Sequence, residues 1–205
     1  MDASQRRAAA KRRQIIEAAS ELFFENGFAG SSMDAVVARA AVSKQTAYRY
    51  FPSKIDLLAA VLTSELDIAS FFGGPATAPS TSDELRAALI GIARTVTDEL
   101  LQPHRLALIR LAFGEAFRIP ELRDTIRDAL PGQFFGRMQA LLTQLAETGL
   151  IRSENIATAS RMYIGSIFSY VALDGFLRTE PLPPPTTADL ENLVDAFLRS
   201  VEVRT

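Results

Sequence analysis

Apolar residues recur at intervals of three and four along nearly the whole chain, and no stretch alternates as a half-buried strand would. A period of 3.6 gathers such residues on one helix face, whereas a sheet needs a period of two. The fold is therefore restricted to packed helices, and the caps and breakers say where each one starts and stops. A first helix is predicted from about Arg6 to Asn26, with Ile15, Ile16, Ala19, Leu22 and Phe23 on one face. Gly27 offers a left-handed cap after it, with Phe28 placed to pack back. Ser32 is the expected N-cap of a short second helix burying Met33, Val36, Val37 and Ala40. After a turn at Ala41-Val42, Ser43 caps a third helix through Tyr50, and Pro52 ends it. Ser53 with Asp56 resembles a capping box opening a fourth helix to about Ser70.

Gly73 to Ser82 reads as a linker. Thr81 with Glu84 then opens a long helix striped by Leu85, Ala88, Leu89, Ile92, Ala93, Val96 and Leu100. Pro103 and Pro120 each start a further helix, and Pro131 is expected to kink or split the segment from Glu121 to Thr148. A helix from about Asn155 to Arg178 is apolar on nearly all sides until the prolines of 181–185 break it. A last helix spans about Thr187 to Val203, striped by Leu190, Leu193, Val194, Phe197, Leu198 and Val201. The expectation is an all-α protein of about nine helices.

Composition removes several classes of function. The chain has no cysteine and a single histidine, His104, which excludes disulfides, thiolate metal sites and most nucleophile–base pairs. Carboxylates such as Asp98, Glu99 and Glu115 are scattered without catalytic spacing. Gly73-Gly74 precedes a proline and follows no strand, so it is no phosphate loop. No enzyme, cofactor or metal site is expected. The basic N-terminus lacks a secretory apolar run, and the longest uncharged apolar-rich stretch, Met162–Leu173, has 12 residues, too few to span a bilayer. A soluble, cytoplasmic protein without membrane contact is expected. Residues 1–56 carry nine Lys and Arg against six Asp and Glu, whereas the remaining 149 carry thirteen against eighteen. A basic head on an acidic body suits one end meeting a polyanion.

Two short helices separated by a tight turn and braced by a longer one form a helix-turn-helix. In the third helix Lys44, Gln45, Thr46, Tyr48 and Arg49 can face outward, while Val42, Ala47 and Phe51 hold it to its neighbours. Lys and Gln can address base edges, and Ser, Thr and Tyr hydroxyls suit phosphates. The stretch resembles the DNA-binding domain of the TetR family. The resemblance rests on Ala18–Phe23, Gly27-Phe28, Ser31-Ser32-Met33, Ala40 to Lys44, Thr46, Tyr48, Tyr50-Phe51 and Ser53-Lys54. Ala41 departs from it, standing where the turn usually has glycine; with positive φ an alanine there costs about 1 kcal/mol. The resemblance implies that Lys44, Gln45 and Thr46 read bases and that Ser32, Tyr48, Tyr50 and Lys54 clamp phosphates. Arg49 would add charge on the same helix, and Arg12, Arg13 and the residues before them a basic arm. For Tyr50 core packing is an equal alternative.

The resemblance also implies a division into a DNA-binding domain, 1–54, and a ligand-binding and dimerisation domain, 55–205. Arg105 to Leu122, with Glu115-Ala116-Phe117-Arg118 followed by Ile119-Pro120-Glu121-Leu122, and Val171 to Phe176 look similar to the C-terminal domain of one TetR subset. Gly165, Ser166 and Ser169 lie among large apolar residues and permit close helix approach, so a four-helix homodimer interface with the last helix is expected; burial within one chain is the alternative. Candidate effector-lining residues, among the helices from Leu85 to Ala146, are Phe113, Phe117, Phe134, Phe135 and Met138, with Tyr163 a further one, although plain core packing is the favoured reading of each. Arg110 and Glu115 are expected to pair with other charges, and His104 to lie at the surface. The resulting expectation is a homodimeric repressor on a palindromic double-stranded DNA operator, released by an apolar or amphipathic small molecule through the helix Ile55–Ser70. A helical ligand carrier is the competing reading; neutralising Arg49 and Lys54 would leave its activity unchanged.

Overall fold

The computed structural model describes residues 2–72, 79–129, 131–180 and 182–203. Its helices are α1 (Ala3–Gly30), α2 (Met33–Arg39), α3 (Lys44–Tyr50), α4 (Lys54–Leu66), α5 (Ile68–Phe71), α6 (Ser82–Leu100), α7 (Pro103–Arg118), α8 (Pro120–Ala129), α9 (Pro131–Glu147), α10 (Ile156–Ser169) and α11 (Thr187–Ser200). A π-helical turn, Tyr170–Phe176, follows α10. Among the described residues the β-type pairing is one isolated antiparallel bridge, Ile151 to Val203. The all-α class is as expected. Most of the expected linker, residues 73–78, and Pro181 of the proline cluster lie outside the described residues. The chain forms two compact units, Met1–Leu66 with Ala107–Leu130, and Asp67–Leu106 with Pro131–Thr205.

In the first unit α1 packs on α2 and α4, and α8 packs on α4. The apolar stripe of α1 buries Ile15, Ile16, Ala19, Leu22 and Phe23, and α4 buries Leu57, Leu58, Val61 and Leu62. Each Ile, Leu, Val or Phe among them contributes roughly 1.5–3 kcal/mol when fully removed from water. The helix begins ahead of its apolar stripe because Asp2 and Gln5 cap one another: the Gln5 N–H donates to Asp2 at 2.8 Å and the Asp2 N–H donates to Gln5 at 3.1 Å. At Gly27 φ is 70°, which kinks the helix before one more turn. Phe28 folds back as expected, its ring centroid 5.5 Å from that of Phe23. Ser53 and Asp56 form the expected reciprocal cap. The helix they open stops at Leu66, short of Ser70, because Asp67 takes a left-handed conformation (φ 30°) before the single turn of α5.

In the second unit α10 packs on α9, α11 and α6, and α11 packs on α6. The α6 stripe is buried through Leu85, Leu89, Ala93, Val96 and Leu100. Against it lies Tyr163, wholly buried; its ring is 5.1 Å from Phe197 and its hydroxyl donates to the Leu89 carbonyl. Burial pushes that hydroxyl well above the ordinary phenol range. Pro131 splits the segment around it into α8 and α9, since a proline fits a first turn and not a helix interior. The long apolar run after Asn155 is not one uniform helix: it widens into the π-helical turn at Tyr170. There Gly175 sits so close to Leu101 and Leu106 that a β-carbon would lie 2.6 Å and 3.0 Å from their methyls.

Candidate nucleic-acid interface

The chain turn between α2 and α3 is built from local hydrogen bonds. The Ser32 hydroxyl accepts from the Ala35 N–H at 3.1 Å and starts α2. At its end the Ala41 N–H donates to the Ala38 carbonyl (3.2 Å) and the Val42 N–H to the Val37 carbonyl (3.3 Å). That closure needs a left-handed residue, and Ala41 supplies it with φ 48°. Ser43 then caps α3, accepting from the Thr46 N–H at 3.1 Å. Gln14 of α1 reaches across to the Ala40 carbonyl at 2.8 Å and holds the turn from behind. Val36, Ala47 and Phe51 are buried beneath α3.

This frame leaves Lys44, Gln45, Tyr48 and Arg49 exposed. Positions 44 and 48, and 45 and 49, are four apart, so the four form two adjacent rows on one helix face. Ser32 is exposed at the start of α2, while Thr46 and Tyr50 are half-buried. The Thr46 hydroxyl is hydrogen-bonded to that of Ser43 at 2.8 Å, and the Arg49 guanidinium lies 5.3 Å from the Tyr50 ring centre. Lys54 is turned inward: its ammonium donates to the carbonyls of Phe28 (2.6 Å) and Ser31 (2.8 Å) and lies 4.3 Å from the Phe28 ring centre. Partial burial lowers its pKa from the ordinary lysine value. The expected basic arm is helical, continuous with α1 from Ala3, and its residues 3–14 are exposed. Arg12 rests 5.3 Å from the Phe51 ring centre, and Arg13 pairs with Glu17 at 3.5 Å.

Three contacts around this surface were not legible from spacing. Arg39 of α2 pairs with Glu25 (2.7 Å) and Glu21 (3.1 Å) of α1, which holds the Glu25 carboxyl below its usual range. Gln14 buttresses the turn as described. Lys44 pairs with Asp34 at 2.8 Å, and this hydrogen-bonded carboxylate raises the lysine pKa.

The candidate effector residues fall in separate units. Phe113, half-buried, and Phe117, 79% exposed, belong to the first; Phe134 and Met138 are buried in the second. Phe134 centres an aromatic cluster, with Phe71, Phe72 and Phe168 at 5.7, 6.2 and 5.0 Å. Glu115 pairs with Arg118 at 3.5 Å, and His104 is exposed. Two open clefts lie in the second unit: one of about 620 Å³ beside Arg152, Asn155, Met162 and Glu202, and one of about 400 Å³ between α10 and α11. Neither is lined by the four candidates. No helix among the described residues is long and apolar enough to cross a membrane.

Residues 15–61 match the family described as bacterial regulatory proteins, tetR family, and residues 87–200 match the AefR-like transcriptional repressor, C-terminal domain. An uncharacterised helix-turn-helix-type transcriptional regulator of Mycobacterium tuberculosis is 27% identical over 184 residues, 89% of this chain and 83% of its own length. Among solved structures, the flavonoid-responsive regulator FrrA aligns with a TM-score of 0.71 at 25% identity, covering 96% of this chain and 100% of its own. A TetR transcriptional regulator from Agrobacterium tumefaciens gives the same TM-score at 24% identity, covering 94% and 95%.

Proposed function

The chain belongs to the TetR family of bacterial regulatory proteins, transcriptional regulators with a DNA-binding helix-turn-helix, and on that premise we propose that it is a homodimeric, ligand-released repressor of the cytoplasm. The observation that carries the reading is the exposed face of α3, where Lys44, Gln45, Tyr48 and Arg49 stand clear of a turn locked by Ala41 and Ser43. Lys44, Gln45 and Thr46 address base edges from the start of α3; Ser32, Tyr48, Arg49 and Tyr50 engage phosphates. Lys54 serves the same surface by fixing the end of α1 against the start of α2. Residues 1–54 form the reading head and 55–205 the effector and dimer domain.

A dimer suits a palindromic operator whose half-sites lie one helical turn, about 34–36 Å, apart. The face of α10 supports a second copy: Met162, Gly165, Ser166 and Ser169 are exposed beside half-buried Leu193 of α11. The C-terminal match, described as a transcriptional repressor domain, supports repression. The effector is apolar or amphipathic; FrrA, similar over nearly the whole chain, responds to flavonoids, and the cluster around Phe134 offers aromatic surface here. Phe134 and Met138, in the same unit as that cluster, are its candidate contacts and require the core to open, whereas Phe113 and Phe117 lie in the other unit. Release works if ligand prefers the conformation with the wrong head spacing. A tenfold preference is worth about 1.4 kcal/mol.

The test is binding of the purified protein to its own upstream DNA across a salt series, with Lys44→Ala and Tyr48→Ala. Wild type should bind tightly and salt-dependently. Loss of the lysine should weaken binding roughly tenfold or more, as expected for a contact of about 1–3 kcal/mol. No preference over random DNA, there or in a selection from a random library, would leave a helical ligand carrier.

A further inference from the structure

The strongest unassigned feature of the reading surface is the carboxylate that faces it. Asp34 is the second residue of α2, two positions after Ser32, and its side chain is exposed. It reaches ten residues along the chain, across the turn, to the first residue of α3: the Lys44 ammonium lies 2.8 Å from one carboxylate oxygen and 2.9 Å from the other. Both side chains are well solvated, with 65% and 62% of their areas exposed, so the pair is reversible and weak in water. The neighbouring cations are placed differently. Arg39 is engaged by Glu21 and Glu25 on the α1 side, Arg49 lies over Tyr50, and Lys54 is spent on backbone carbonyls.

We propose that Asp34 is a specificity-determining residue: it sequesters Lys44 in the free protein and in loose complexes on random DNA, and yields it only to a base-edge acceptor in the fitted groove. The inference rests on the DNA-reading assignment of α3 made above. Discrimination is a difference between two affinities and is gained by weakening the wrong complex as well as by strengthening the right one. On random DNA the protein is held by phosphates, and each lysine that neutralises one releases counterions and steepens the salt dependence by about 0.9. A Lys44 already neutralised by Asp34 contributes little to that term. On the operator a guanine edge, with two acceptors on O6 and N7, takes the place of the two carboxylate oxygens. Asp34 thus lowers affinity for the many wrong sites while the right site replaces what it gave.

The experiment uses the full chain and two duplexes: the tightest sequence recovered by wild type from a random library, and a scramble of the same composition. Binding of wild type, Asp34→Asn, Asp34→Ser, Lys44→Ala and Asp34→Asn/Lys44→Ala is measured from low to moderate salt, with circular dichroism confirming that each is folded. Asp34→Asn should bind the scramble several-fold to tenfold more tightly, with a salt slope steeper by about 0.9 per head. Its slope on the selected duplex should stay near that of wild type, so the preference ratio falls three- to tenfold. In the Lys44→Ala background the same substitution should no longer steepen the slope. Equal gains on both duplexes, or an unchanged effect without Lys44, would show that Asp34 acts as a distant repulsive charge and would overturn the inference. No preference by wild type for any duplex would remove the DNA-reading assignment itself, and the role of Asp34 with it.

Discussion

Ala41 holds the tightest corner of the reading head in a conformation that glycine adopts without penalty. Its φ of 48° places the β-carbon against the following carbonyl, and left-handed geometry costs an L-residue roughly 1–2 kcal/mol. Glycine gives back part of that relief through the larger entropy of its unfolded chain, about 0.4–1 kcal/mol. Ala41→Gly should therefore stabilise the head by about 0.5–1 kcal/mol, read as a higher urea midpoint at unchanged slope. A lower midpoint would mean that the alanine methyl packs usefully and outweighs the strain. The same position shows what a sequence discloses about a site. The left-handed residue at the turn was signalled only by the resemblance, whose members usually have glycine where Ala41 stands, whereas the outward row of α3 followed from its periodicity. The engagement of Lys54 did not, because a lysine after a serine cap looks alike whether it points at solvent or at the carbonyls of Phe28 and Ser31. The pairing of Lys44 with Asp34 was equally silent, since it joins residues on different helices.

At the scale of elements, caps and prolines marked most boundaries: Ser32, Ser43 and Thr81 sit at N-caps, and Pro103, Pro120 and Pro131 each begin a helix. Two features escaped. The helix opened by Ser53 carries no breaker at Asp67, and the π-helical turn at Tyr170–Phe176 answers a tertiary demand, the close approach of Gly175 to the corner between α6 and α7. How elements are tied was also unreadable. Arg86 of α6 grips Asp195 of α11 through two hydrogen bonds of 2.6 and 3.0 Å, more than a hundred residues apart in sequence. The Arg86 hydrogen bond holds the Asp195 carboxyl below its usual range. A carboxyl whose folded pKa is lowered adds stability above its unfolded value, about 4, and that stability is lost as pH falls through the lowered folded value. Asp195→Asn should therefore unfold at lower urea than wild type at pH 7, and the gap should close as the pH falls below the ordinary aspartate range. Both side chains are more than a third exposed, so the gap will be modest and will shrink in high salt. A gap independent of pH would assign the loss to packing and not to the ion pair.

At the scale of the whole molecule, the proposed homodimer requires that two heads act together, and salt dependence can count them. The basic surplus of residues 1–56 on an otherwise acidic chain concentrates phosphate attraction at one end. For a protein neutralising Z phosphates the logarithmic salt slope is about −0.9Z, so a bound dimer shows twice the slope of one head. The proposed partner-facing surface offers a means of separating the copies without unfolding either. Ser166 is exposed on α10, and its hydroxyl donates back to the Met162 carbonyl of its own helix. Glutamate is a good helix former, so Ser166→Glu should leave the fold intact while a symmetric interface would bring the carboxylate against the partner's apolar face and its own copy. Placing charge there without a counterion costs far more than the serine contributed. The variant should sediment as a monomer, keep the helical dichroism of wild type, lose operator affinity by more than a hundredfold at nanomolar protein, and bind with about half the wild-type salt slope. A Ser166→Glu protein that stays dimeric would place the interface on another face of the molecule. A monomer that kept both affinity and slope would show that one head suffices, and the palindromic operator would go with it.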